Sequence, residues 1–199
     1  MENNRLKLGL MDYGVGNLAS LKGSLEKLGY KCSVIKDQGN TNELSAIFLP
    51  GVGSFSFAMK NLKKNGGEAF IKEIFHQRKI PIIGICLGMQ LLFEFSEEGE
   101  CEGLGLLPGT VEKLPDGACH VGWNLVKAVN CGAKSLDTAF YFNHSYRVRC
   151  SDNLVVGESE YLGRFPVAVQ HERFFGFQFH PEKSQRMGSR LIRECLRDA

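Results

Sequence analysis

Residues 80–90 read IPIIGICLGMQ, and this stretch decides how the rest of the chain folds around it. Its first half is apolar and rich in isoleucine, as in a strand of a parallel sheet that is covered on both faces. Pro81 stands near the start of the run, where a strand need not donate to its neighbours. After Cys86 the apolar residues recur at helical spacing, at Leu87, Leu91, Leu92 and Phe95. The sequence therefore predicts a buried strand that turns into a helix at a cysteine.

Cys86 stands between Gly84 and Gly88 at this predicted junction. Glycines let the chain turn sharply and let a substrate approach the backbone, as in a nucleophile elbow. The start of a helix lowers the pKa of a thiol and offers N–H groups to an oxyanion. The alternative is a buried structural cysteine, because free cysteine is among the most buried residue types. The two glycines and the change of spacing favour a catalytic nucleophile.

A second motif reads FQFHPEKS over residues 177–184. His180 and Glu182 are two positions apart, so in an extended chain their side chains would point the same way. A thiol, an imidazole and a carboxylate are the parts of a nucleophile, its base and the group that orients the base. We therefore expect His180 to take the proton from Cys86 while Glu182 holds the imidazole in one tautomer. Taken alone, His180 would be interpreted as a histidine satisfied at a strand end.

Strands and helices alternate in the first half of the chain, which predicts an α/β fold with a mainly parallel sheet. Ligands of such sheets bind beyond the carboxyl ends of the strands. Asp12, residues 50–53 and Cys86 each follow a predicted strand, so we expect them to converge on one cleft. The predicted strands cover residues 6–11, 31–35 and 46–49, and the predicted helices run from the cap Asn17 to Leu28 and across Phe70, Ile71, Ile74 and Phe75.

The second half has short apolar runs broken by Gly, Asn and Asp, which predicts antiparallel strands over about residues 111–179. Within it, residues 166–170 and 174–179 are predicted to form a hairpin. Three glycines and two acids predict a loop over the cleft at residues 99–105. A last amphipathic helix is predicted from about Ser184.

Six motifs follow one another in order along the chain. They are DYGVGNL at 12–18, LPGVG at 49–53, GICLGMQ at 84–90, GWN at 122–124, HSY at 144–146 and FQFHPEKS at 177–184. With them the chain resembles the class I, triad-type glutamine amidotransferases, and within that class the glutaminase subunits of imidazole glycerol phosphate synthase. The resemblance runs from about Leu8 to the C-terminus. It implies a flavodoxin-like three-layer α/β fold, with antiparallel additions in the C-terminal half, as a single domain over residues 1–199.

The resemblance also implies an activity. Cys86 attacks the carboxamide of L-glutamine and gives a γ-glutamyl thioester and ammonia, with His180 as general base and then acid, and Glu182 as its orienter. The ammonia passes to a HisF-like (β/α)8-barrel cyclase subunit in a heterodimer. There it is used to form imidazole glycerol phosphate and aminoimidazole carboxamide ribotide in histidine biosynthesis. In this family the glutaminase is weak until the partner carries its ligand.

Further roles are implied for three groups of residues. The oxyanion hole is assigned to Gly51, Val52 and Leu87, and the glutamine-binding residues are Gln90, Glu98, His144, Ser145 and Tyr146. The residues near the partner interface are Asn17, His120, Trp123, Tyr141 and Lys183. The residues themselves allow plainer interpretations: a strand-end turn at 50–53, core packing for Trp123 and Tyr141, and a solvated charge at Lys183.

Some positions depart from the family pattern. Cys119 stands where proline is usual, Asn143 where an apolar residue is common, and Ser56 and Phe57 where a small residue and an aspartate are more common. None of them touches the predicted triad. They leave open a second copy of the subunit, which would supply ammonia for amidation of a surface-polysaccharide sugar. A cysteine peptidase of the same fold family is disfavoured by the glutamine-binding matches, and a non-enzymatic binding module would require a broken triad.

Composition sets the outer bounds. The 199 residues are 43% apolar and carry a net charge of +2, which is ordinary for a globular enzyme and gives no case for nucleic acid as a partner. The seven cysteines include no Cys-x-x-Cys pair, so a zinc ribbon or a redox pair is not expected. The start of the chain is polar and predicts no signal peptide, and no run is long enough to span a bilayer. We expect a cytoplasmic enzyme without metal or cofactor.

Overall fold

The computed structural model describes residues 6–36, 43–77, 80–130 and 134–197. The expectation that no signal peptide is present rests on residues 1–5, which lie outside this range. The strands are β1 Lys7–Met11, β2 Lys31–Ile35, β3 Ala46–Gly51, β4 Ile82–Cys86, β5 Phe93–Ser96, β6 Cys101–Glu102, β7 Leu107–Lys113, β8 His120–Ala128, β9 Thr138–His144, β10 Tyr146–Arg149, β11 Val155–Glu160, β12 Arg164–His171 and β13 Phe174–Phe177. The helices are α1 Leu18–Lys27, α2 Phe55–Lys64, α3 Gly67–Gln77, α4 Leu87–Gln90 and α5 Gln185–Cys195.

Nine of these strands form one sheet, in the order β2-β1-β3-β4-β13-β12-β11-β8-β9. The five strands from β2 to β13 are parallel to one another. The remaining four continue the sheet in antiparallel fashion. This confirms the predicted α/β class and its antiparallel additions in the C-terminal half. The expected hairpin is formed by β12 and β13, and β13 then inserts beside β4 in the parallel part of the sheet.

Apolar side chains cover both faces of the inner parallel strands, which is why β4 is a continuous apolar run, whereas β2 at the edge is mostly exposed. On one face, Ile82 packs with residues of α2 and α3. On the other face, Ile83 and Ile85 pack with residues of α1 and α5. The sheet is thus the middle of three layers, and its buried centre holds Cys86 at the end of β4.

Helices α1, α3 and α5 lie where the sequence predicts them, whereas α2, over Phe55–Lys64, was not predicted. Asn17 caps α1, because its Oδ1 accepts from the N–H of Ser20 at 3.1 Å, and Gly29 follows the helix at φ +91°. The last helix, α5, buries Leu191, Ile192 and Cys195 as expected. Within the described residues, the structure has no helix that is both long and apolar enough to span a membrane.

The segment after Cys86 differs from the prediction. The expected helix through Phe95 is wrong, because α4 ends at Gln90 and Phe93–Ser96 forms strand β5. The run from 91 to 93 is buried throughout, and a short, continuously apolar run does not distinguish helix from strand by its spacing. The predicted loop at 99–105 also contains a strand, β6. Both strands belong to a second sheet, in the order β10-β7-β5-β6, which the sequence did not indicate.

Candidate active site

The junction between β4 and α4 bends at Cys86 itself. Its backbone has φ 55° and ψ −111°, a conformation that residues other than glycine rarely adopt. The residue is 5% exposed, and it stands between the last strand pair of β4 and the first residue of α4. Strained backbone of this kind concentrates at functional sites. The predicted strand-to-helix elbow is therefore present.

The two flanking glycines serve close packing. A Cβ atom at Gly88 would lie 1.6 Å from the carbonyl oxygen of Leu49 on β3. A Cβ atom at Gly84 would lie 2.7 Å from the carbonyl oxygen of Gly88. Both contacts are with backbone atoms, so a change of side-chain rotamer could not make room for the added Cβ atom. The glycines therefore allow α4 to press against the sheet, and the sharp turn that was expected of them is made by Cys86.

His180 and Glu182 are paired in a buried position. His180 Nδ1 lies 2.8 Å from Glu182 Oε1, and their side chains are 3% and 6% exposed. The route to this pair differs from the expected extended strand, because β13 ends at Phe177 and Pro181–Lys183 forms a 3-10 turn. The backbone of His180 is fixed on both sides. Its N–H donates to the carbonyl of Tyr141 at 2.8 Å, and its carbonyl accepts from the hydroxyl of Ser184 at 2.7 Å.

The second ring nitrogen of His180 has no hydrogen-bond partner among the described residues, although it is buried. Burial lowers the pKa of His180, but the neighbouring Cys86 sulfur and Glu182 carboxylate outweigh it and raise the pKa to about 9. A buried polar atom without a partner is uncommon and indicates a group that is used in another state of the site. Nε2 can therefore hold a proton beside the sulfur, with the ring oriented by Glu182.

A pocket of about 460 Å³ opens at Cys86, a volume suited to an amino acid. Glu98 lies in its wall and accepts from the N–H of Phe55 at 3.0 Å, so its carboxylate also caps α2. Burial raises the pKa of Glu98, and the Phe55 bond opposes this. The pocket brings together most of the predicted site: Val52, Gly53, Ser54, Cys86, Leu87, Gln90, Glu98, Cys119, Asn143, His144, Ser145 and Tyr146 line it.

Gly51 lies behind this pocket. It pairs with Cys86 across β3 and β4, and it lines a small adjoining cavity together with His180. The preceding carbonyl, of Pro50, accepts from the hydroxyl of Tyr13 at 2.5 Å. Burial and the charge of Cys86 raise the pKa of Tyr13, so its hydroxyl stays protonated and donates. Tyr13 was not identified as a site residue, because only the fold shows that it holds the strand end opposite Cys86.

Asp12 does not join the cleft as expected. Its carboxylate accepts from the N–H of Gly14 at 3.1 Å and lies 3.9 Å from the ammonium of Lys36, outside the pocket. It shapes the turn after β1, a common role for aspartate. The prediction that strand ends meet at one cleft is therefore confirmed for residues 50–53 and Cys86. The segment around Asp12 contacts the site only through Tyr13, which binds the Pro50 carbonyl.

His144 and His120 form a buried pair with a defined direction. The carbonyl of Tyr146 only accepts, so His144 Nδ1 carries the hydrogen of their 2.7 Å bond. His144 Nε2 then accepts from His120 Nδ1 at 3.0 Å, and His120 Nε2 accepts from the amide of Asn124 at 3.1 Å. Burial lowers the pKa of His120 to about 4 and that of His144 to about 3, so both rings are neutral. Both nitrogens of His144 are occupied, although the residue lines the pocket.

The residues assigned to a partner interface come from several elements: Trp123 and Tyr141 are paired on β8 and β9, the last two strands of the nine-stranded sheet, whereas Asn17 and Lys183 follow β1 and β13. Trp123 is 52% exposed, and its ring lies 6.3 Å from that of Tyr141. The ammonium of Lys183 lies 5.6 Å above the Tyr141 ring. Asn17 is exposed beside them at the small cavity behind Gly51, whereas His120 is buried beneath the surface.

Two neighbours of Trp123 were missed. Val121 and Leu125 are 58% and 64% exposed, and they alternate along β8 with the less exposed Gly122 and Asn124. Alternate residues of a strand share one face, so these three side chains form an apolar stripe. The alternation in VGWNL was the signal in the sequence.

The positions that depart from the family pattern differ in their location. Cys119 and Asn143 line the pocket. The expectation that none of these positions touches the triad is wrong for Asn143, whose carbonyl accepts from Cys86 Sγ at 3.7 Å. The asparagine side chain is therefore not what faces the sulfur. Ser56 packs against Gly99, and Phe57 is 52% exposed on α2.

Comparison with known proteins agrees with this geometry. The model of the "Glutamine amidotransferase class-I" family matches residues 9–199. The chain belongs to that family. It is therefore an enzyme of the class-I glutamine amidotransferases. The pocket that opens on Cys86, with its strained backbone, suits a catalytic nucleophile.

Relatives and solved structures refine the comparison. The chain is 44% identical to "Imidazole glycerol phosphate synthase subunit HisH" of Moorella thermoacetica, over 94% of this chain and 92% of the relative. It is also 44% identical to the subunit of the same name from Exiguobacterium sibiricum, over 94% and 93%. Within the class, the chain thus belongs to the HisH family. The "Structure of PurLQS from Thermotoga maritima" superposes with a TM-score of 0.78 over 97% of this chain and 98% of that one, at 19% identity, which confirms the fold alone.

Proposed function

We propose that this chain is the glutaminase subunit of an imidazole glycerol phosphate synthase. It hydrolyses L-glutamine to L-glutamate and delivers the ammonia to a HisF-like (β/α)8-barrel cyclase subunit in the cytoplasm. The observation that carries the chemistry is the state of His180, whose Nδ1 is held by Glu182 while its buried Nε2 has no partner among the described residues. The names of the HisH relatives support the choice of synthase.

In the first half of the reaction, Cys86 is the nucleophile. Its proton passes to His180 Nε2, and the sulfur attacks the side-chain carbonyl carbon of glutamine. The tetrahedral oxyanion is received by the N–H of Leu87, which as the first residue of α4 has no acceptor within its helix, and by N–H groups of Gly51 and Val52. When the intermediate collapses, the carbon–nitrogen bond breaks and His180 returns its proton to the leaving nitrogen, which departs as ammonia.

In the second half, water replaces ammonia. His180 takes a proton from a water molecule as it attacks the γ-glutamyl thioester. The carbon–sulfur bond then breaks, and the proton returns to Cys86 as glutamate leaves. Glu182 keeps Nδ1 protonated through both halves, so Nε2 is always the nitrogen that faces the reaction.

The pocket supports a free amino acid as substrate. Gln90 donates one amide hydrogen to the carbonyl of Tyr146 at 3.1 Å and the other to Gln178 Oε1 at 3.0 Å. Its own carbonyl oxygen is then the Gln90 atom able to accept from an α-ammonium group. The carboxylate of Glu98 balances the charge of that group. Ser145 and Tyr146, with His144 behind them, form the wall toward the α-carboxylate.

The apolar stripe Val121, Trp123 and Leu125 supports a protein partner. Exposed apolar side chains in a row mark an interaction surface, and tryptophan is common among the residues that dominate binding. Lys183, beside the stripe, follows Glu182 directly, so a partner's acidic group at Lys183 would sit next to the oriented imidazole. The interface and the reacting groups are thus adjacent, as delivery of ammonia requires.

The test is glutamate release from L-glutamine by the chain alone and mixed with the histidine-pathway cyclase of the same organism and its ribotide ligand. We expect strong stimulation in the mixture. Cys86→Ser should lower the rate by more than about a thousandfold, as expected for loss of a nucleophile. Cys32→Ser, on β2 far from the pocket, is the matched control and should keep the wild-type rate.

The outcomes separate the parts of the proposal. Glutamate release that survives Cys86→Ser would overturn the catalytic assignment. Release that depends on Cys86 but is not stimulated by the cyclase would keep the chemistry and overturn the partner. The system that amidates a surface-polysaccharide sugar would then be the next partner to assay.

A further inference from the structure

In the part of the chain that the structure describes, the sulfur of Cys86 has two polar neighbours besides His180, and they favour opposite protonation states of the thiol. The carbonyl of Asn143 accepts from Sγ at 3.7 Å, which suits a thiol. The side-chain Nε2 of Gln178 donates toward Sγ at 3.8 Å, which suits a thiolate. A carbonyl oxygen cannot donate and an NH2 group cannot accept, so each contact stabilises one state only.

The orientation of the Gln178 amide follows from its hydrogen bonds. The backbone carbonyl of Tyr146 only accepts, so the Gln90 atom that meets it at 3.1 Å is the NH2 group. The same NH2 group lies 3.0 Å from Gln178, which must therefore present its oxygen there. The NH2 end of Gln178 is left to face Cys86. A main-chain carbonyl two side chains away thus determines that a donor, and not an acceptor, meets the sulfur.

The amide pair is held rigidly. Gln178 is fully buried and Gln90 nearly so. The N–H of Gln178 donates to the carbonyl of Val167 at 2.9 Å, which extends the pairing of β12 beyond the end of β13. The Tyr146 carbonyl is fixed in turn by His144 at 2.7 Å. Its two lone pairs are then both used, so Gln90 has no alternative way to bind there.

We propose that Gln178 is a thiolate-stabilising residue of this enzyme and that Gln90 positions its amide. Proton balance is simple: when the thiol proton moves to His180 Nε2, the S–H bond to the Asn143 carbonyl is lost and the Gln178 N–H group donates to the sulfur anion. When the proton returns, the contacts reverse. The proposal rests on the assignment of Cys86 as the nucleophile. It adds a donor that opposes the cost of keeping an anion in a buried site.

The test measures the thiol directly and uses no glutamine. The rate of alkylation of Cys86 by iodoacetamide is followed from pH 5 to 10 by mass spectrometry of its peptide, in the wild type and in Gln178→Met. Methionine has a similar length and no donor. We expect the alkylation rate of Cys86 at neutral pH to fall about tenfold or more, and its pH profile to move upward, because hydrogen bonds to charged groups are among the stronger ones.

Two controls make the result specific. Gln170→Met replaces an exposed glutamine on β12 and should leave the Cys86 profile unchanged. Exposed Cys119, followed in the same samples, should react alike in every variant. Circular dichroism reports folding, and Gln178→Glu, which keeps the size of the side chain but places a carboxylate beside the sulfur, should raise the profile further.

An unchanged Cys86 profile in the folded Gln178 variants would overturn the proposal and leave Gln178 as a packing residue. Failure of the proposed function is distinguishable from this result. The alkylation assay needs no glutamine. Even if the wild-type chain did not hydrolyse glutamine, comparing its Cys86 alkylation profile with that of Gln178→Met would still show whether Gln178 stabilises the thiolate.

Discussion

Cys86 combines a strained backbone with a nearly complete cage of partners. Holding a residue other than glycine at φ 55° and ψ −111° costs about 1–3 kcal/mol of folding free energy. The packing of the buried strands on either side offsets this cost. The conformation aims the sulfur away from the sheet, toward the pocket. The strained backbone of Cys86 and the direction of its sulfur are thus one feature, and the surrounding core maintains both.

The charge state of His180 leads to a prediction on pH. Its pKa is raised to about 9 by Cys86 and Glu182 in spite of burial, against about 6.5 in an unfolded chain. The folded state therefore holds a proton that the unfolded state has lost between these values. The resulting stabilisation, at most about 3 kcal/mol, is fully present below about pH 6.5 and is lost as the pH rises through about 9.

We expect urea denaturation to show a fall in the free energy of unfolding between pH 6.5 and 9, and a smaller fall in Cys86→Ala. The histidine Cε1 resonance of His180, followed by NMR, should titrate near pH 9 in the wild type and at lower pH in the variant. A titration that is the same in both would show that Cys86 does not hold the proton on His180.

The role of a residue was predictable where its interaction partner lies close to it in the sequence. His180 and Glu182 are two positions apart, and their pairing could be expected even though the backbone between them is a 3-10 turn. Gln178 and Tyr13 could not be identified in this way, because the atoms they contact come from segments that only the folded sheet brings together.

The element that decides the site is α4, which contains four residues and is held mainly by contact with the sheet. So short a helix is not stable by itself. Its position depends on the backbone approach at Gly88, where helix and strand leave no room for a side chain. The spacing of apolar residues predicted that a helix begins here, but the point where it ends was set by tertiary pairing of β5.

Gly88→Ala should therefore destabilise the protein by about 3 kcal/mol or more, because the new methyl group would overlap the Leu49 carbonyl and force α4 away from β3. Gly23→Ala is the matched control. Gly23 lies within α1 and a Cβ atom there meets no atom of the described residues within 4 Å, so alanine should stabilise by about 1 kcal/mol. Thermal unfolding of both variants measures the two effects, and equal melting temperatures would contradict the close approach.

The whole molecule places the reacting groups at strand ends in the middle of the nine-stranded sheet and the apolar stripe on β8, toward one edge. The parallel strands supply Cys86 and the segment after β3, and the antiparallel strands supply the apolar stripe. The division into an alternating first half and a strand-rich second half was visible in the sequence, because it rests on local patterns. The second sheet was not, because its strands pair over long separations and its two-residue member has no pattern of its own.

Trp123→Ala and Leu125→Ala should each weaken binding to the cyclase, the tryptophan by about thirtyfold, or about 2 kcal/mol. Val34→Ala is the control, since Val34 is also exposed and apolar but lies on β2 at the opposite edge of the sheet. Isothermal titration calorimetry measures all three. Equal dissociation constants for Trp123→Ala and the wild type would place the partner on another surface.

The insertion of β13 between β4 and β12 has a consequence during synthesis on the ribosome. β4 is translated about ninety residues before its neighbour, so the nascent chain carries a fully apolar strand with one open edge until β13 emerges. His180 follows only three residues after β13, so the thiol has no base during that interval. The growing polypeptide is therefore exposed to aggregation for nearly half of its translation, and it acquires the complete set of reacting groups only when about nine tenths of the chain has been made.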